Sequence, residues 1–236
     1  MGHLFATVIL GPLLLIQGRI VRRNTPRLAE PEGVRQGIEG AGPPLRLLII
    51  GDSAAAGVGV THQKDALCGQ LVALLAQHFT LSWALHAKTG ATTADTIEHV
   101  NTMGSQTFDV VLTSLGVNDV TSGSQRSKWL AQQNALFTFC QHTFSSQLIV
   151  ITALPPMHAF PALPQPLRGY LGRRATQFNA QLEQLTLGDK GKHFLALKMT
   201  NKKDAMAADG FHPGADSYRQ WASQAAAVIT KHFLPS

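Results

Sequence analysis

LRLLIIGDSAAAG (residues 45–57) sets an almost unbroken apolar run directly before Asp52 and Ser53, followed by small residues through Gly57. A strand with one wet face alternates, so near-continuous apolarity over so few residues suits a strand covered on both faces. Further runs of this kind follow at LSWALHA (81–87), DVVLTSLG (109–116), QLIVITAL (147–154) and HFLALK (193–198). Helical spacing separates them: Leu67, Leu71, Leu74 and Leu75 first, then Phe137, Cys140 and Phe144, then Leu171, Ala175, Phe178, Leu182 and Leu185. Tyr218, Trp221, Ala225 and Val228 give a last helix. The alternation predicts an α/β fold, a three-layer α/β/α sandwich on a five-stranded parallel sheet, whose ligands sit at the carboxyl ends of the strands.

Polar residues collect at those ends. Ser53 stands on a turn leading out of the first strand, where a hydroxyl can be exposed and a backbone N–H left free to face an oxyanion. Read alone, it is equally a helix-capping or loop serine. Gly90 follows the second strand, where the lack of a Cβ lets backbone approach a ligand. GVND (116–119) puts the Asn118 amide at the end of the third, a place that also suits a plain turn former. DGFHPG (209–214) offers an imidazole, His212, to accept a serine proton, and a carboxylate three residues earlier, Asp209, to hold that imidazole.

Taken together and in this order, the four blocks resemble the SGNH hydrolases, also called the GDSL esterase/lipase family, over roughly residues 45–236. The match rests on GDSAAAG, Gly90, GVND and DGFHPG; Ala54 stands where many members have Leu, which is a packing position. The resemblance implies the flavodoxin-like SGNH fold, with Ser53 as nucleophile, His212 as general base and acid, and Asp209 as its orienting carboxylate. It implies an oxyanion hole from the N–H groups of Ser53 and Gly90 and the Asn118 amide. It further implies a serine esterase that works through an acyl-enzyme without metal or organic cofactor. Its substrate would be a small-molecule or lipid carboxylic ester, after the lysophospholipase, arylesterase and thioesterase members. A carbohydrate O-acetyl esterase is the alternative among enzymes, favoured by a polar, shallow rim. Outside enzymes the alternative is a non-catalytic, membrane-tethered lipid or glycan binder, which would have no need of the full set.

LPPMHAFPALPQPL (154–167) is too proline-rich for a helix and should lie over the same rim, where Met157, Phe160 and Leu163 can line an acyl pocket or form a lid. The plainer reading is a loop that covers the sheet end. Other motifs fail: Gly57-Val58-Gly59 suggests a nucleotide loop, but His62 stands where GxGxxG needs its third glycine. HExxH and CxxC are both missing, so no metal site is predicted. Cys68 and Cys140 fall within helical patterns and read as core, while Asp52 and Asp119 read as turn braces.

Composition bounds the rest. The chain has 236 residues, 44% hydrophobic and only 14% charged, against about 25% charged in average soluble proteins, which excludes disordered and coiled-coil classes. The net charge of +6 is concentrated in residues 1–46, with six Arg and three Glu, and in 168–203, with eight basic and two acidic groups. No nucleic-acid-binding motif accompanies either patch, so no nucleic-acid partner is expected. Met1 to Gly18 carry no Asp, Glu, Lys or Arg, and Arg19, Arg22, Arg23 and Arg27 follow. As a helix this run would reach about 27 Å against a hydrocarbon core of about 30 Å. Residues 1–23 therefore read as a membrane anchor or interfacial wedge, an atypical signal sequence, or an element packed on the domain. Residues 24–44 read as a linker and 45–236 as the hydrolase domain. An anchor with its arginines inside would hold the protein at the cytoplasmic face of the inner membrane; a signal sequence would make it periplasmic or secreted.

Overall fold

The computed structural model describes residues 2–104, 106–197 and 205–234, with side chains of the first helix from Leu10 onward. Its sheet comprises β1 (Gln36–Glu39), β2 (Pro44–Gly51), β3 (Thr80–Ala87), β4 (Val110–Ser114), β5 (Leu148–Thr152) and β6 (Lys192–Leu195). The order across the sheet is β1-β3-β2-β4-β5-β6, and all neighbours are parallel except β1 and β3. The helices are α1 (Gly2–Asn24), α2 (Ser53–Ala56), α3 (Leu67–Leu75), α4 (Thr93–Asn101), α5 (Val117–Thr121), α6 (Arg126–His142), α7 (Leu167–Gln184) and α8 (Ala215–Phe233).

The period of two along a strand divides the core into two layers. Leu48, Ile50, Val111, Ile149 and Ile151 face one way, onto Leu136, Phe137 and Cys140 of α6 and Leu171, Ala175 and Phe178 of α7. Leu47, Ile49, Val110, Leu112, Leu148 and Val150 face the other, onto Leu67 and Leu71 of α3 and Tyr218, Trp221 and Ile229 of α8. The α/β/α sandwich is as the apolar runs predict. The strand count is six rather than five, because the stretch read as a linker supplies β1. That four-residue edge strand pairs Gln36–Glu39 with Ala84–Leu81, and with three of its four residues exposed it carries no buried stripe for a sequence to reveal. The last predicted strand ends at Leu195, and Lys198, which the prediction included, lies outside the described residues.

α1 lies along this domain. Leu14 is buried in the α6/α7 layer, with Leu10 and Val21 packed on the same cluster. Gln17 fixes it: Nε2 donates to the Gln165 carbonyl (2.7 Å), and Oε1 accepts the Leu167 N–H (3.1 Å), one of the N–H groups at the start of α7 that have no intrahelical acceptor. Among the described residues no helix is long and apolar enough to cross a membrane.

Register brings the loops to one rim. Gly51 is level with Ala87 of β3 and with Ser114 of β4, so β2, β3 and β4 release their chains side by side. Gly59, read above only as a fragment of a nucleotide motif, is where the loop after β2 meets the loop before α8. Its φ is +116°, and a Cβ there would lie 2.3 Å from the Pro213 carbonyl oxygen. Gly59→Ala should therefore combine backbone strain with a backbone clash and cost at least about 2 kcal/mol. For a domain of this size thermal unfolding should then fall by about 4–8 °C; an unchanged midpoint would show that the two loops do not need this approach.

Candidate active site

Ser53 is the first residue of α2, separated from the end of β2 by Asp52 alone. Asp52 caps that helix with Oδ1 accepting the Ala54 N–H (3.0 Å), and Gly57 ends it in the left-handed region at φ +96°. As the first residue of a helix, Ser53 has an N–H without an intrahelical acceptor. Gly51 allows this turn to sit against β4, since a Cβ there would be 2.4 Å from the Ser114 carbonyl.

His212 and Asp209 come from the loop of residues 205–214. The loop is closed by Ala207 N–H to His212 O (2.8 Å) and Gly214 N–H to Ala205 O (2.9 Å). Asp209 Oδ1 accepts the N–H groups of Phe211 and His212, both at 3.0 Å, which leaves Oδ2 facing His212 Nδ1 at 2.5 Å. The other ring nitrogen, Nε2, is 2.8 Å from Ser53 Oγ. Burial works to raise the Asp209 carboxyl, but the bonds from the His212 ring and from the two N–H groups outweigh it and hold it below the ordinary range. A carboxylate that remains charged beside Nδ1 favours the Nδ1–H tautomer, and this leaves Nε2 able to take a proton from the hydroxyl.

Gly90 and Asn118 complete the rim. Gly90 has φ +83° and open space where a Cβ would be, and its N–H has no acceptor among the described residues. One Asn118 Nδ2–H donates to the Ala91 carbonyl (2.9 Å), and an amide has a second hydrogen to offer. Asp119, buried on the same short helix, accepts the Thr93 N–H (3.2 Å) and hydroxyl (3.0 Å) and so ties α5 to the start of α4. Asp119 therefore braces a turn, as its sequence position suggests. Desolvation lifts its carboxyl, and the Thr93 bonds offset part of that rise.

The N-terminal stretch contributes a residue that sequence reasoning missed. Glu30 Oε1 accepts both the N–H and the hydroxyl of Thr89, each at 2.7 Å, and Arg35 reaches Glu30 Oε2 (3.1 Å) and the Ala87 carbonyl (3.0 Å). Partial burial acts to raise the Glu30 carboxyl, but the Thr89 bonds and the Arg35 charge hold it low. The loop that carries Gly90 is thus held from outside by the segment read as a linker.

A cavity of about 1510 Å³ opens beside Ser53, lined also by Gly90, Asn118, Asp209 and His212. Phe160 and Leu163 line it. Met157 does not: the short 3-10 turn of Met157–Ala159 sends it into the α6/α7 core, where it is fully buried. The remaining lining is mostly apolar and includes Leu14, Gly18 and Val21 of α1, a contribution the sequence reading did not foresee. Its signal was present in the helical spacing of Leu10, Leu14, Gln17 and Val21, which begins in the apolar run and continues past Arg19. Cys68 and Cys140 are buried, and burial pushes both thiols up to about 12, far from nucleophilic use. No group of three or more potential metal ligands occurs among the described residues.

Asp52 has a different environment from Asp209. It is buried, and desolvation pushes its carboxyl up to about 6 despite the Ala54 N–H bond. A folded-state value above the unfolded one means that the folded protein holds the proton more tightly. This contribution to stability is complete below about pH 4 and is lost as pH rises through about 6. Asp52→Asn keeps an acceptor for Ala54 and removes the charge, so it should gain stability on the wild type between pH 4 and 7, by up to roughly 3 kcal/mol. Parallel melting curves of the two proteins across that range would contradict the assignment.

Comparison with known proteins identifies the family and the fold. The sequence profile of the GDSL-like lipase/acylhydrolase family matches residues 49–220. Among solved structures, the esterase EstA from Pseudoalteromonas sp., inhibited by monoethylphosphonate, is similar at 19% identity and TM-score 0.64, over 79% of this chain and 97% of that one. A lipolytic protein of the G-D-S-L family from Veillonella parvula is similar at 16% identity and TM-score 0.65, over 81% and 100%. An acetyl-xylooligosaccharide esterase from Geobacillus is similar at 18% identity and TM-score 0.63, over 83% and 98%. No curated protein matches the sequence. With the family profile spanning most of the chain and the Ser53 turn, the GVND turn and the Asp209–His212 loop all inside it, this protein belongs to the GDSL-like lipase/acylhydrolase family and is an ester hydrolase.

Proposed function

We propose that the protein hydrolyses carboxylic esters with a long apolar acyl group through a covalent acyl-enzyme on Ser53. The observation that carries this reading is the 2.8 Å contact between Ser53 Oγ and His212 Nε2, with the opposite ring nitrogen held by Asp209. Ser53 Oγ attacks the ester carbonyl carbon as its proton passes to Nε2, and Asp209 stabilises the imidazolium that forms. The carbonyl oxygen becomes an oxyanion and takes hydrogen bonds from the N–H groups of Ser53 and Gly90 and from the second Asn118 amide hydrogen. Collapse expels the alcohol oxygen, which takes the proton from Nε2. Water then repeats the sequence on the acyl-enzyme, releasing the acid and restoring Ser53.

The cavity supports the choice of substrate class. Phe160, Leu163, Leu167 and Leu171 give the acyl group an apolar wall, while Arg19, Arg22 and Arg27 line the same cavity without an acidic partner among the described residues. An amphiphile with one acyl chain and an anionic head, of the lysophospholipid kind, suits both features. Because this lining is mostly apolar, it favours this class over the carbohydrate ester alternative, which would call for a polar rim. Leu13, Leu15, Ile16 and Ile20 are exposed on α1 beside the arginines. On this reading they let the protein lie on an anionic membrane surface, each arginine near it adding about 1 kcal/mol.

Ser53→Ala should abolish labelling by a fluorophosphonate while leaving the fold intact; label recovered on another serine of that variant would refute the nucleophile. Asn118→Ala should lower kcat by about 10²- to 10³-fold with KM little changed, whereas a loss confined to KM would make it a substrate-binding residue.

A further inference from the structure

We infer that α1 is the element that sets acyl-chain specificity: its inner stripe is a wall of the cavity against which the chain of a long-chain ester lies. The inference rests on the acyl-pocket reading above and deepens it. Leu14, Gly18 and Val21 recur at steps of four and three, which places them on one helix face, and all three, with Thr25 just past the helix end, line the cavity that contains Ser53. Leu163, Leu167 and Leu171 line it as well, so apolar surface from the proline-rich loop and α7 joins that of α1 around one space. The α1 wall is held in place rather than loosely apposed. Gln17, on the same turn as Gly18, bonds at once to the Gln165 carbonyl and the Leu167 N–H, and Leu14 is buried in the core.

Two observations give α1 this role rather than that of a plain cover. The family profile begins at residue 49, so the domain that supplies Ser53 and His212 is matched without α1, and the wall is an addition to it. Gly18 also leaves room: nothing lies within 4 Å of where its Cβ would be, although its neighbours Gln17 and Val21 are in contact with the domain. A glycine inside a helix costs helix stability, so larger residues here should be tolerated by the backbone and should reduce the space available to a chain. The outer face of the same helix carries the exposed Leu13, Ile16 and Ile20, so one element borders both the cavity and the surface from which an amphiphile would come.

The test uses the full-length protein and dodecanoate, a chain without an ester, so that binding is read apart from turnover. Dodecanoate should displace a fluorescent fatty acid from the wild type. Gly18→Leu should weaken it by about tenfold or more, since excluding two buried methylenes suffices for that factor. Val21→Phe enlarges the same wall one turn further on and is the second variant, in case the first melts early. Weakening of that size in either folded variant supports the wall; its absence from both would overturn it. Hydrolysis of p-nitrophenyl acetate and p-nitrophenyl dodecanoate by the wild type tests the esterase reading separately. If neither ester were cleaved while dodecanoate bound and Gly18→Leu weakened it, the catalytic reading would fail and the role of α1 would stand.

Discussion

Ser53 and His212 are 159 positions apart in sequence, and the loops that hold them 2.8 Å apart rest on close backbone-to-backbone packing. At Gly59 and at Gly51 the gap to a neighbouring carbonyl is less than a side chain requires, 2.3 Å from Pro213 and 2.4 Å from Ser114 for a hypothetical Cβ. The sheet register delivers the loops to one rim, but these close approaches set their depth. Asp209 then contributes twice: its Oδ1 shapes the loop by binding two N–H groups, and its Oδ2 holds the imidazole. Loop shape and ring orientation are consequently one problem solved by one carboxylate.

The buried carboxylates show how the same chemical group takes different roles under different solvation. Asp209 has enough donors to remain charged despite burial. Asp52 and Asp119 have fewer, and desolvation raises both. The charges of Asp52 and Asp209 act on Tyr218, which donates its hydroxyl to the Val58 carbonyl (2.7 Å) and whose phenol is driven far up by burial first and then by these two carboxylates. Tyr218 therefore stays neutral and serves as a fixed link between the base of α8 and the loop that follows Ser53.

The features legible in the sequence were those in which burial is dense. β2, β4 and β5 are buried along nearly their whole length and read as apolar runs, and the residues at their ends were found because a strand end is a place the eye can locate. α4 was not legible: it is begun by a capping box between Thr92 and Asp95, and two of its three buried residues, Thr93 and Thr96, are polar, so burial there leaves little apolar trace in the sequence. Nor was Glu30, whose partner Thr89 is 59 residues away, because a single long-range hydrogen bond leaves no periodic trace. Met157 failed for the opposite reason. Its apolar character was read correctly, but a proline-bounded turn decides whether such a side chain faces a cavity or the core, and composition does not encode that direction.

The clamp at Gln17 has a consequence for how the chain is made. Its partner Leu167 is 150 residues downstream, so at typical synthesis rates α1 leaves the ribosome roughly 8 to 30 s before anything exists for it to dock on. Throughout that interval a nascent helix with leucines and isoleucines on every side has no intramolecular shelter. It is free to be captured by whatever apolar surface is nearest, whether a chaperone or a lipid leaflet, before the rest of the protein is translated. Docking of α1 onto α7 is thus a late event in the making of the chain, and the apolar residues of α1 wait for it.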